Sequence, residues 1–431
     1  STIITNLAKR IKMPSNFIWS NYFQNAPDLK TSLWYPDPNN PNSWVNGTVN
    51  CIDIQPDGKY VIGGTFTNIN IYGLGGIRMM RLNPDGSQDG SFNNFSNLGA
   101  SGDVRAIRVA PDGKKIYIGG GFMNVNGVNN RYLARLNSDG TPDLTFNIGT
   151  NLNDAVNSID FLSDGRIVIG GQFTSYGATS RNRIAVINID GTLNTAFNPS
   201  TGFNSAVYKV VVEALYDRII VGGNYTTYQG STANRIIRLS NTGTADTSFD
   251  MSTGFNSDVT DIQIQSWDNK IIISGAFTTF KGSTANRIVR VSQFGALDTT
   301  FNTNIGTAAN GQVYRVGIDQ TNRLLFLFGS FSTWNSTSGS PFDRKIVMLN
   351  ENGTRNTFSF EDPLPVFFNS TNAFAVTKQN KYLIGGDNTF TNGGVTPRLC
   401  LFNQDLSPVG YPTNYTEISM VWNGTSYVQT T

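Results

Sequence analysis

No histidine occurs among the 431 residues. This removes the commonest general base, the Ser-His-Asp and Cys-His nucleophile arrangements, and the usual zinc and copper ligands. Carboxylates remain for acid–base work. The conspicuous ones recur at one place in a repeated element: Asp89, Asp143, Asp246 and Asp298, with Asn194 at the equivalent position. A residue that returns once per repeat is spread around the molecule, whereas an active site needs different residues converging on one point. These carboxylates are therefore expected to accept hydrogen bonds from turn amides, or from the equally recurrent Arg81, Arg135, Arg238 and Arg290, and to fix geometry.

Two other patterns invite a chemical reading. Gly-Gly doublets such as Gly170-Gly171 suggest phosphate loops, but they end apolar runs, precede an aromatic residue and have no GxGxxG or GK[ST] around them. Close backbone approach or a bulge is the expected use of glycine there. Asp-Gly pairs suggest calcium loops, but the alternating acidic pattern with a distal Glu is missing, so each reads as a turn. Cys51 and Cys400 have no metal spacing and are expected to be small buried residues. No catalytic, cofactor-binding or metal-ligating residue is assigned, and no cofactor is expected.

The elements that carry these residues repeat. The doublet position recurs at 63, 119, 170, 222, 274, 328 and 385, a period of about 52 residues, with Ser274-Gly275 and Phe328-Gly329 as variants. Each unit contains a first strand (156 to 162, 259 to 265), a tight turn, a second strand such as RIVIGG, a polar loop and a third strand such as NRIAVIN. A second Asp-Gly turn leads to a short fourth element: SQDGSFN, TPDLTFN, TLNTAFN, TADTSFD or ALDTTFN. Four short antiparallel strands cannot bury two faces alone. Stacking such sheets around an axis does so, which predicts an all-β fold, a seven-bladed β-propeller of four-stranded antiparallel blades.

The pattern DGRIVIGGQFT…NRIAVINIDGTLNTAFN resembles the delta-60 repeat, a family of β-propeller repeats, over about residues 45 to 403. Repeats six and seven depart from it, with KIVMLNENG and no Asp at 356, and with QDLSPVG. The resemblance implies a surface or virion-associated binding module of the kind carried by fibre-like phage proteins, and implies little about activity.

The propeller is expected to span 28–403. Residues 29 to 33, LKTSL, match the fourth element LDTTF and would close the ring against the last blade. Residues 1–27 read as an N-terminal attachment arm, and the aromatic residues Trp19, Phe23, Trp34 and Trp44 are expected to pack on the propeller or on another protein. Residues 404–431 form a tail in which EISMVW-NGT-SYVQ reads as a β-hairpin.

Specificity is expected where the repeat breaks. The loops TTYQGSTANR, TTFKGSTANR and STWNSTSGSPFDR place Tyr228, Gln229, Phe280, Lys281, Trp334 and Asn335 as candidate contact residues for carbohydrate or protein. The net charge of +2, with no basic run, gives no reason to expect nucleic acid or membrane as a partner, and no apolar run is long enough for a transmembrane helix. The N-terminus shows no secretory signal pattern. The expected function is a non-enzymatic structural or binding component of a bacteriophage virion, in the tail or tail fibre, contacting other virion proteins or a host-surface receptor. A secreted or cell-surface glycan- or protein-binding propeller is the alternative, and a glycan-active enzyme with two unrepeated carboxylates in the channel is a third reading.

Overall fold

The computed structural model describes residues 47–67, 78–92, 99–338, 345–356, 366–367, 370–387, 389–390, 398–404, 419–422 and 427–430. These residues contain seven three-stranded antiparallel sheets. In each, the chain-order middle strand is also the central one. Sheet one is Val49–Ile54, Tyr60–Gly64 and Met79–Leu82; sheet two is Val104–Val109, Lys115–Gly120 and Leu133–Asn137. Sheets three to seven follow with first strands Val156–Phe161, Val207–Glu213, Val259–Ile264, Val313–Asp319 and Thr371–Val376.

The middle strands read as unbroken apolar runs because both of their faces are covered. Ile167 and Ile169 of sheet three pack against sheet two, while Val168 between them packs against sheet four. The same alternation gives one apolar cluster at each junction between neighbours, seven in all among the described residues. One of them joins sheet seven to sheet one through Leu383, Leu399 and Leu401 against Val49, Ile62 and Leu82. Lys378 also donates to the Pro56 carbonyl across that junction. The sheets therefore close into the ring of a β-propeller.

The glycine doublet serves this stacking. A β-carbon on Gly119 would lie 2.7 Å from Val156 Cγ1 of the next sheet, and one on Gly385 would lie 2.7 Å from Val49 Cγ1. The second glycine is stricter, since its β-carbon would overlap a backbone carbonyl oxygen of its own sheet, that of Thr48 in the case of Gly64. This explains why the first position tolerates Ser274 and Phe328 while the second is Gly in all seven repeats.

The expected fourth strand is not one. After the third strand the chain makes a single bridge, such as Leu82 to Gln88 or Leu239 to Ala245, and then turns away. The cause is the aspartate. Asp89 Oδ1 accepts from the Ser91 amide at 3.0 Å, and Asp298 caps a short helix, Thr299–Asn304, by accepting from Phe301 N at 3.1 Å. These local bonds compete with a ladder and drive the following phenylalanine inward. Phe146 and Phe301 are fully buried, and so is Phe197, whose amide bonds Asn194 Oδ1 at 3.0 Å where asparagine replaces the aspartate.

The recurrent arginine then locks each sheet to the next. Arg135 Nε bonds Asp143 at 2.7 Å, its guanidinium lies 4.8 Å from the Phe146 ring centroid, and it donates to the Ile189 carbonyl in the turn of sheet three. Arg81, Arg238 and Arg290 repeat this with Asp89, Asp246 and Asp298, reaching the carbonyls of Ser138, Gln293 and Glu351. Where the arginine is missing the aspartate is missing too. Val186 stands with Asn194 and Met348 with Asn356, and each of these asparagines bonds a neighbouring asparagine instead. A lone buried carboxylate would be costly, so the two changes go together.

Residues 29–33 and the arm aromatics Trp19, Phe23, Trp34 and Trp44 lie outside the described residues. In the tail, Ser419–Trp422 pairs antiparallel with Tyr427–Thr430, as the hairpin reading expects.

Two outcomes follow for stability. Arg238→Met strands Asp246 and is expected to cost about 3–5 kcal/mol of unfolding free energy. Arg238→Val with Asp246→Asn, the pair that sheet three carries, is expected to cost less than half of that in urea titrations. Burial alone would raise the carboxyls of Asp89, Asp143, Asp246 and Asp298, but bonds from Lys, Ser or backbone and the arginine charge outweigh it and hold all four below the ordinary value. Their contribution is complete above an unfolded pKa of about 4 and is lost as pH falls below it. The urea midpoint is expected to drop on acidification through that range.

Candidate binding site on the central axis

The first strands line the axis, and every one of them is bulged near its start. The pairing register shifts between Val49 and Cys51, Val104 and Ala106, Val156 and Ser158, Val207 and Lys209, Val259 and Asp261, Val313 and Arg315, and Thr371 and Ala373. A bulge leaves one residue out of the ladder and re-aims its side chain. Those residues are Asn50, Arg105, Asn157, Tyr208, Thr260, Tyr314 and Asn372. The rest of the repeat is regular, but this circle is not.

Its differences have an order of their own. Sheets one, three and five contribute neutral donors and carboxylates that reach forward to the backbone of the next sheet. Asn50 Nδ2 bonds the Val104 carbonyl at 3.1 Å, Asn157 Nδ2 the Val207 carbonyl at 2.9 Å, and Thr260 Oγ1 the Val313 carbonyl at 2.9 Å. Asp53, Asp160 and Asp261 accept the amides of Val109, Val212 and Val316 at 2.7 to 2.9 Å. Each also accepts the amide of its own following residue. These amides sit on inner edge strands, so the carboxylates satisfy donors that no ladder reaches.

The even sheets contribute cations. Arg105 bonds Asn157 at 2.9 Å, Arg108 meets Asp160 at 2.8 Å, Lys209 meets Asp261 at 3.1 Å, and Arg315 donates to the Asn372 carbonyl at 2.7 Å. Burial opposes ionisation of Asp261, but Lys209 and Arg315 with the Val316 amide hold its pKa below the ordinary value. Burial dominates at Asp53 and raises it. Of these residues, Asp53, Arg105, Arg108, Asn157, Asp160, Lys209, Thr260, Arg315 and Asn372 border a cavity of about 320 Å³. The glycan-active reading required unrepeated carboxylates on the axis; Asp53 and Asp160 border the cavity but hold the same position in their sheets, Asp261 is fully buried, and the oxygens of all three are committed to strand amides. Among the described residues no group of three His, Cys, Asp or Glu side chains could hold a metal ion.

The contact loops require a correction. Tyr228, Phe280 and Trp334 turn inward and are buried, so they offer no flat surface to a partner. Tyr228 donates to the Gly243 carbonyl and stacks near Phe203, with ring centroids 4.6 Å apart; Phe280 lies 4.7 Å from Phe255. The cause is a two-residue hairpin in which Gln229, Lys281 and Asn335 take φ values of 50°, 50° and 51°, folding the aromatic side under the turn. Gln229, Lys281 and Asn335 remain at the tips. Cys51 and Cys400 are buried free thiols, and burial pushes Cys400 up to about 12.

Sequence reasoning did not find the axial circle. The signal was present in the residues after the valine that opens six of the first strands, NC, RA, NS, YK, TD and YR, and after Thr371 of the seventh, NA.

Five stretches, residues 55–92, 110–146, 162–197, 217–249 and 268–301, match the domain of unknown function DUF5122, described as a β-propeller. Each begins at or just after the turn that follows a first strand and ends at the buried phenylalanine of the D-x-x-F element. Among solved structures the chain is similar to the WD40 β-propeller domain of Doa1, with 14% identity and a TM-score of 0.50 over 83% of this chain and 92% of that one. At that identity the likeness speaks for the fold alone. No curated protein matches.

Tyr228→Ala is expected to cost about 3–5 kcal/mol of unfolding free energy, as core aromatic truncations do. Gln229→Ala at the exposed tip is expected to stay within about 0.5 kcal/mol. Chemical denaturation of the two variants checks the inward placement.

Proposed function

We propose that this protein is a non-enzymatic binding and structural module, a seven-bladed propeller that meets its partner through the axial circle and the polar tips around it. The observation that carries this reading is where the repeat stops. The matched stretches cover the second and third strands, the clasp arginines and the buried phenylalanines, and they leave out the first strands between them, from Val104–Val109 to Val259–Ile264. Scaffold residues recur from blade to blade, while the residues facing the axis differ. That division suits a rigid frame with one individual site.

Within this reading the module belongs to a bacteriophage virion, in the tail or tail fibre, where it contacts other virion proteins or a host-surface glycan or protein. The delta-60 resemblance supports that placement. The segment before residue 28, with Trp19 and Phe23, is the proposed attachment arm, and the fourth element of the last blade is proposed to come from residues 29 to 33.

The protein is expected in stoichiometric amount in purified phage particles from the source culture, measured by mass spectrometry. Absence from particles, with recovery on cells or in medium, would replace the virion placement with that of a secreted or cell-surface binder.

A further inference from the structure

We propose that the axial cavity binds an oxyanion, a carboxylate or sulfate group carried by a molecule of monosaccharide size, an inference that rests on the axial reading above. The two signs of charge on the channel wall are not presented alike. The carboxylates of Asp160 and Asp261 are 11% and 0% exposed, and both oxygens of each accept a strand amide. The cations that meet them are more exposed: Lys209 is 19% exposed, Arg315 27% and Arg108 43%, while Arg105, at 33%, pairs instead with Asp103 at 2.6 Å, itself 31% exposed. The wall is near neutral in sum, with Asp53 partly exposed and Asp103 set against Arg105, so the exposed positive charge a ligand would meet is that of Arg108, Lys209 and Arg315.

The cations also crowd one another. The charges of Arg315 and Arg108 act on Lys209 in the same direction as its burial, with Asp261 opposing. A guanidinium has five donors in a fixed fork, and those of Arg315 are only partly used by Asn372 and by Asp261 at 3.6 Å. An anion between these groups would relieve their repulsion and take the spare donors. A cavity of about 320 Å³ stands at the lower end of small-molecule sites, which limits the ligand to about one sugar ring. Tyr208 and Tyr314 border the same cavity, and their rings and hydroxyls suit the body of such a molecule.

Isothermal titration of the full chain with glucuronate, inorganic sulfate and glucose, at low and at high sodium chloride, tests this. Saturable binding of glucuronate that weakens with salt is expected, with no heat from glucose. Sulfate binding as tightly as glucuronate would identify the oxyanion alone as the ligand group, whereas weaker sulfate binding would add the sugar ring; both outcomes support the site. Absence of saturable heat from both anions at millimolar concentration, or equal binding of glucose, overturns it.

Arg105→Gln is expected to weaken glucuronate binding about ten-fold. The double change Lys209→Met with Asp261→Asn removes a cation together with its buried counter-charge and is expected to do the same. Unchanged affinity in folded Arg105→Gln protein overturns the assignment whether or not the double variant folds. The particle assay fails independently: a virion protein without anion binding sinks only this inference, and an anion binder absent from particles sinks only the virion placement.

Discussion

Each of the seven three-stranded sheets among the described residues has two apolar faces, so none of them can bury its own surface. That constraint determines the rest. Each face must be covered by a neighbour that needs covering in turn, and the requirement ends only when the row closes on itself, as Leu383 and Leu401 do against Ile62 and Leu82. The glycine doublet follows from the same need, because the valine that opens a first strand seats where a β-carbon would otherwise be. The bulge beside it follows as well. Once the backbone comes that close, one residue per first strand leaves the ladder, and the channel acquires its lining.

Much of this was legible in the amino-acid order. The period of about 52 residues, the continuous apolar middle strands and the turn pairs are local features, and they predicted strand identity and ring architecture from single segments. The fourth strand failed because its alternation is real but its aspartate competes for the backbone: Asp89 and Asp298 bond their own following amides, and the ladder stops after one bridge. Tyr228, Phe280 and Trp334 failed for a different reason. Which side of a hairpin a ring takes depends on the left-handed pair that follows it, Gln229-Gly230, Lys281-Gly282 and Asn335-Ser336; the glycines announce a turn in two of them, but the face on which the ring lies is set by the sheet beneath.

The axial site was the least legible because it is defined by what does not recur. Asn50, Arg105, Asn157 and their counterparts are more than 50 residues apart, and no single type recurs at all seven. Only the ring brings Arg108 to Asp160 and Lys209 to Asp261. The paired absences are the counterpart in the scaffold. Val186 with Asn194 and Met348 with Asn356 show that arginine and aspartate behave as one unit, since neither is kept without the other.

The alternation of neutral donors and cations around the axis raises a question of parity. A pattern with a period of two cannot close on a circle of seven. One junction must join like to like, and it is the one between sheets seven and one, where Asn372 meets Asn50 through a single amide contact of 3.4 Å. The mismatch falls at the junction between the last described sheet and the first, whose strands are the most distant in sequence. Under a pulling force the ring has a designated clasp, and it would open there as a necklace does, with the other six junctions still fastened.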